Sequence, residues 1–122
     1  MHANKTQVRS MDRLKKRSDF LRVQSCRKRW VSKGIILQVG AGETGKLRYG
    51  ITVSKRVSKL AVTRNRIKRR LRAVACDVLP LHAKADTDYV LIGKLEVETR
   101  PYSSLQKDLI SCLENLNLQQ SK

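Results

Sequence analysis

Between Thr63 and Arg72 the sequence reads TRNRIKRRLR, six cationic side chains in ten residues with no carboxylate among them. Five of the six are arginine, whose planar guanidinium grips phosphate oxygens in pairs where lysine offers a point charge. Asn65, between Arg64 and Arg66, adds neutral donors and an acceptor that can fix a neighbouring side chain or meet a sugar or base edge. The chemistry of such a group is recognition of a polyanion, not bond cleavage. Residues suited to cleavage are sparse. Asp86 with Asp88 and Glu96 with Glu98 are the paired carboxylates, and two-metal phosphoryl chemistry needs carboxylates that converge. Each pair reads instead as solvated surface flanking a strand. Cys26, Cys76 and Cys112 are odd in number and widely separated, giving neither a disulfide framework nor a metal-binding pattern. His2 and His82 are too isolated for a zinc site, and nothing local supports a Cys/His nucleophile. No catalytic and no metal-ligating residue is assigned.

At the helical repeat the basic run resolves into two characters. Leu60, Ile67, Leu71, Val74 and Val78 fall on one stripe, Asn65, Arg69 and Arg72 on one flank of it, and Arg66 and Arg70 on the other. The helix is expected to pack by the stripe and offer cations elsewhere, with Ser58 as its N-cap and Pro80 as its stop. Arg66 and Arg70 lie off the stripe, so their replacement by alanine is expected to weaken RNA binding and leave the fold intact. Ahead of this helix, Gly34–Val39 (GIILQV) and Leu47–Ser54 (LRYGITVS) read as strands joined by a GAGETG turn, with Leu47, Tyr49, Ile51 and Val53 on one face. After it, Tyr89–Gly93 (YVLIG) is an unbroken apolar run, the pattern of a strand covered on both sides. Ser18–Gln24 reads as a short helix capped by Ser18, and Leu105, Leu109, Cys112, Leu113 and Leu116 recur at helical spacing. Residues 1–12 are read as a flexible basic arm, 13–118 as one domain and 119–122 as a tail.

The 122 residues suit a single domain with a largely aliphatic core, since only five are aromatic. The net charge of +17 is lopsided: residues 1–72 hold 22 Lys or Arg against three acids, and residues 73–122 hold five against seven. Self-repulsion gathered in one part of the chain points to a polyanionic partner, nucleic acid first. No apolar run approaches the roughly 20 residues of a membrane span and the N-terminus lacks a signal peptide's apolar segment, so a cytoplasmic protein without a membrane partner is expected.

Quoted in full, Thr52 to Ala73 reads TVSKRVSKLAVTRNRIKRRLRA. It resembles the signature of the protein subunit of bacterial ribonuclease P, an Arg-Asn-Arg helix that follows a strand and a basic turn. Arg13–Val23 (RLKKRSDFLRV) is similar to that family's opening helix and Asp88–Lys94 (DYVLIGK) to its last strand, so the resemblance spans Arg13 to Leu116. It implies an α/β fold, an α+β sandwich in the order α-β-β-β-α-β-α with the topology of ribosomal protein S5 domain 2. The sheet would be four-stranded and mixed, with a left-handed βαβ crossover against the usual right-handed rule and its remaining strand near Arg29–Ser32. The resemblance also implies binding to ribonuclease P RNA and to the 5′ leader of precursor tRNA, in a ribonucleoprotein endonuclease whose RNA and Mg2+ ions do the chemistry. The protein itself would bind no cofactor and need no protein partner. Carried over by position, Lys55, Arg56, Arg64, Asn65, Arg66, Lys68, Arg69 and Arg70 would contact the RNA, and Lys16, Arg17, Phe20, Gln24 and Gln38 the leader. Gln24 and Gln38 stand where the family often has aromatics, so the leader is expected to be held more by charge and hydrogen bonds than by stacking. The rival reading is a ribosomal or chaperone-like RNA-binding protein with no role in cleavage.

Overall fold

The computed structural model describes residues 11–42 and 46–118. Their order is β1 (Met11–Arg13), α1 (Arg17–Ser25), β2 (Lys28–Val31), β3 (Ile35–Ala41), β4 (Leu47–Thr52), α2 (Ala61–His82), β5 (Thr87–Gly93), a short 3₁₀ helix (Leu95–Glu98) and α3 (Tyr102–Asn115). One mixed sheet runs β1-β4-β5-β3-β2, with β4 parallel to β1 and β5 and with β3 antiparallel to β5 and β2.

Alternation along the strands gives the sheet two unlike faces. Leu37 and Val39 of β3, Leu47 and Tyr49 of β4, and Tyr89 and Leu91 of β5 are buried on one of them. There α2 lays down Ile67, Leu71, Val74 and Val78, and α3 adds Leu105, Leu109, Cys112 and Leu113. Gly93 permits the close approach of α2: a Cβ at that position would lie 2.7 Å from Ile67 Cγ2 and 2.9 Å from Leu71 Cδ1. On the other face α1 covers a smaller core of Leu14, Val23 and Val90, with Phe20 and Ile92 partly buried against it. Each fully buried large apolar side chain contributes about 1.5–3 kcal/mol, so the α2/α3 face supplies most of the stability and α1 is the lighter cover.

What fastens α1 is polar. Asp88 of β5, fully buried, accepts bonds of 2.8 and 2.6 Å from Arg48 of β4 and one of 2.5 Å from Arg22 of α1. Arg22 also donates to the Ala41 carbonyl at 2.5 Å, so it spans from helix to sheet. A carboxylate this buried is tolerated because its lone pairs are filled by two guanidiniums. Phe20 completes the cover by lying over Gly50, where a Cβ would come within 2.5 Å of the ring.

Several expectations give way to the structure. The sheet has five strands instead of four, because Met11–Arg13 pairs with β4 through Met11↔Leu47 and Arg13↔Tyr49. Met11 and Asp12 thus belong to the sheet and not to the arm; three residues are too few to display alternation, and pairing follows from the edge that β4 offers. The rest of the arm (1–10), the tail (119–122) and residues 43–45 of the GAGETG turn lie outside the described residues. Helix α1 starts at Arg17 with Lys16 at its N-cap and no side-chain cap, so Ser18 sits inside the first turn. The N-cap of α2 is Leu60, which is 68% exposed and so lies off the buried stripe. Ser58 stands just outside and accepts the Leu60 N–H at 3.2 Å. Pro80 does not stop α2, which runs on to His82. The ring removes one N–H from the last turn, and the burial of Leu79 and Pro80 holds that turn in place.

Candidate nucleic-acid interface

Beyond β4 the chain turns through Ser54–Val57, closed by the Val57 N–H on the Ser54 carbonyl at 3.1 Å, and this leaves Lys55 and Arg56 exposed. Helix α2 follows at once. Because Ile67 and Leu71 are turned fully into the core, helical geometry sends Asn65 and Arg69 outward and Lys68 to the boundary. No ion pair or side-chain hydrogen bond joins Lys55, Arg56, Asn65, Lys68 or Arg69 to any other described residue. Turn and flank together offer cations whose donors are unspent among the described residues.

The opposite flank is differently employed. Arg66 pairs with Glu98 at 2.6 Å, and Arg70 donates from one nitrogen to the carbonyls of Val97 at 2.6 Å and Glu98 at 3.1 Å. Carbonyls at the end of a short helix lack partners within it, and the guanidinium supplies them, so the 3₁₀ helix is clipped to α2. Arg66 and Arg70 therefore also make contacts within the fold, which the stripe alone does not reveal. Arg64, at the helix start, donates to the Ser58 carbonyl at 2.8 Å. Arg72, farther along, has its Nε buried without a partner. Burial pushes the Tyr49 hydroxyl up, the neighbouring Cys76 adds to the rise, and the charges of Arg13 and Arg72 oppose it.

Across the sheet, the open margin of α1 forms two recesses. Lys15, Arg17, Phe20 and Thr52 line one of about 330 Å³, and Gln24, Arg27, Arg29 and Gln38 line another of about 360 Å³. Among the leader residues expected from sequence, Arg17 is thus brought beside Phe20, and Gln24 beside Gln38. Lys16 lines neither recess; its carbonyl accepts the N–H groups of Asp19 at 3.0 Å and Phe20 at 3.4 Å in the first turn of α1. Arg27 and Arg29 escaped the sequence reading. The basic run Arg27-Lys28-Arg29 was visible, but only the β2–β3 register, Arg29↔Gln38, brings it to the glutamines.

The paired carboxylates do not converge. Asp88 is enclosed by Arg22 and Arg48, Glu98 is held by Arg66, and Glu96 is exposed. Among the described residues no group of three or more His, Cys, Asp or Glu side chains is arranged to hold a metal ion. Among the same residues, no helix is long and apolar enough to cross a membrane.

A family model described as Ribonuclease P matches residues 8–117. The ribonuclease P protein component of Paramagnetospirillum magneticum is 47% identical over 111 residues, which cover 87% of this chain and 83% of the relative. That of Ruegeria pomeroyi is 41% identical over 107 residues, 85% of each chain. In three dimensions the chain is similar to the RNase P protein of Staphylococcus aureus, with a TM-score of 0.70 at 25% identity over 88% of this chain and 97% of that one. It also matches the fold of the RNase P protein from Thermotoga maritima, with a TM-score of 0.70 at 21% identity over 82% of this chain and 93% of that one.

Proposed function

The chain belongs to the ribonuclease P protein family, a component of a tRNA-processing ribonuclease, and on that premise we propose that it grips two RNAs with two surfaces. One flank of α2, with the turn before it, binds ribonuclease P RNA; the cleft beside α1 holds the single-stranded 5′ leader of precursor tRNA. The observation that carries this reading is the segregation of partnerless cations. Lys55 and Arg56 in the turn, and Lys68 and Arg69 beside Asn65 on one flank of α2, have no acid paired with them among the described residues. A phosphate backbone is the partner that such a strip neutralises, with release of condensed counterions. Arg64 at the helix start and Arg66 and Arg70 on the other flank add to the field of the strip while their guanidiniums brace the fold.

Cleavage in this reading belongs to the RNA and its magnesium ions, since this chain's carboxylates are scattered or taken up by arginines. The protein contributes grip. Phe20, half-covered by the cleft, offers part of a ring for one base, and Lys15 and Arg17 reach the adjoining phosphates. Gln24 and Gln38 offer hydrogen bonds, which replace bonds to water and so add less net affinity than a stacking ring would. RNA and substrate are cytoplasmic, and so is the protein.

Reconstitution tests the proposal. Added to ribonuclease P RNA, the protein should raise 5′ maturation of precursor tRNA at magnesium concentrations where the RNA alone is slow, and by itself it should cleave nothing. If it fails to stimulate, and RNA recovered with it from cells is ribosomal or messenger, the ribosomal or chaperone-like reading replaces this one.

A further inference from the structure

Helix α1 is nine residues long and buries only Val23 completely, too little for packing alone to hold a helix of that length in one place. On the sheet face that α1 covers, Arg48, Asp88 and Gly40 stand side by side, and Gly50, Val90 and Gln38 form the next such row. Each row leaves one place bare for the helix. A Cβ at Gly50 would come within 2.5 Å of the Phe20 ring, and one at Gly40 would lie 3.3 Å from Val23 Cα and 3.1 Å from Cys26 Sγ. A single side chain holds the helix on this floor. Arg22 donates to Asp88 of β5 and to the Ala41 carbonyl of β3, each at 2.5 Å, with Asp19 one turn back at 3.5 Å. No other side chain of α1 is bonded to the sheet among the described residues. Asp88 cannot follow the helix, being buried in the middle strand and held twice by Arg48.

We propose that Arg22 is a positioning residue for the precursor's leader: its fork on Asp88 and Ala41 sets the height of α1 above the sheet, and with it the width of the cleft. This role rests on the cleft beside α1 being the leader path. Phe20 and Gln24 are one turn apart on α1 and line the two recesses, so any shift of the helix displaces both together. A guanidinium suits the task, because its donors are fixed in one plane and meet two acceptors with little further ordering. Its charge is already answered by Asp88 and Asp19, which leaves it a poor phosphate ligand although the side chain is 39% exposed. Its removal leaves Asp88 the two bonds from Arg48. The buried carboxylate stays paired, and the loss is confined to α1.

The test measures Kd of precursor and of mature tRNA for the reconstituted holoenzyme, with the protein's affinity for ribonuclease P RNA as a second readout. Two variants move α1 by different means: Arg22→Ala releases the fork, and Gly40→Ala presses on Val23 from below without changing any charge. Each should lower the preference for precursor over mature tRNA about five- to tenfold, within what one stacked base contributes. Affinity for ribonuclease P RNA and the salt dependence of precursor binding should stay as in the unsubstituted protein. In a Phe20→Ala background both variants should lose most of their effect, since the ring they misplace is gone. Losses that add to that of Phe20→Ala, with a salt slope lower by about one for Arg22→Ala alone, would make Arg22 a direct phosphate contact and overturn the proposal. So would a neutral Gly40→Ala, or a fall in affinity for ribonuclease P RNA in either variant, which would mark a general loss of fold. If the unsubstituted holoenzyme does not separate precursor from mature tRNA, the cleft reading itself falls and the positioning role with it.

Discussion

Arg69 and Arg70 are adjacent in sequence, about 100° apart around α2, and differently employed. Arg69 extends from the flank of α2 that carries Asn65 and Lys68 and has no partner among the described residues; Arg70 is bonded to the carbonyls of Val97 and Glu98. The two flanks have like composition and different employment: one holds the 3₁₀ helix against α2, the other is left to a ligand. A run of cations is therefore not a count of ligand contacts, because part of the charge is consumed inside the molecule before any polyanion arrives.

The largest effect that can break this comparison is that of salt. If six to ten cations of the open strip and cleft meet phosphates, RNA affinity should fall about 10³ to 10⁵-fold between 50 and 200 mM salt. A nearly flat titration would move the interface elsewhere. Next comes the stripe that separates the flanks. Leu71→Ala should lower stability by about 2–5 kcal/mol, measured by thermal or denaturant melts, while the folded fraction keeps its RNA affinity.

The third test separates the neighbours. Arg70→Ala leaves two carbonyls without their donor and should cost about 1–3 kcal/mol of stability. Arg69→Ala should stay within about 0.5 kcal/mol in melts yet weaken RNA binding and lower the slope of log affinity against log salt by about one. Equal behaviour of the two variants in both assays would erase the distinction. The smallest effect belongs to Arg66→Ala: its ion pair with Glu98 leaves the arginine side chain 50% exposed, and such a pair is worth under about 1 kcal/mol.

Periodicity made the heavy elements legible. The stripe of Ile67, Leu71, Val74 and Val78, the apolar run of β5 and the leucine spacing of α3 all lie where the sequence puts them, since burial of those faces is what folds the chain. The Arg-Asn-Arg run likewise announced its helix and its cationic surface. Features that depend on a partner distant in sequence stayed hidden. β1 is defined by the edge of β4 and not by its own three residues. The docking of Arg66 and Arg70 depends on a 3₁₀ helix 27 to 32 residues away. The meeting of Arg29 with Gln38 is a matter of register, which the short and fully exposed β2 does not specify by pattern.

The strand order has a consequence for how the chain is made. β5 is the last strand in sequence and the middle one in space, bonded to β4 on one side and to β3 on the other. Until Thr87 has left the exit tunnel, the emerging chain has only two separate strand pairs to form, β1 with β4 and β2 with β3, with no strand bonded to both. The apolar stripe of α2 then has half a sheet to lie on, although its arginines are already outside the exit tunnel. Bringing residues 35–41 and 87–93 together is the long-range closure on which folding waits. Until then the unfinished chain is a charged helix tethered to one parallel strand pair and one hairpin, kept from its neighbours chiefly by like-charge repulsion. Seven residues, Thr87 to Gly93, turn those fragments into one sheet, and they are delivered after every other strand.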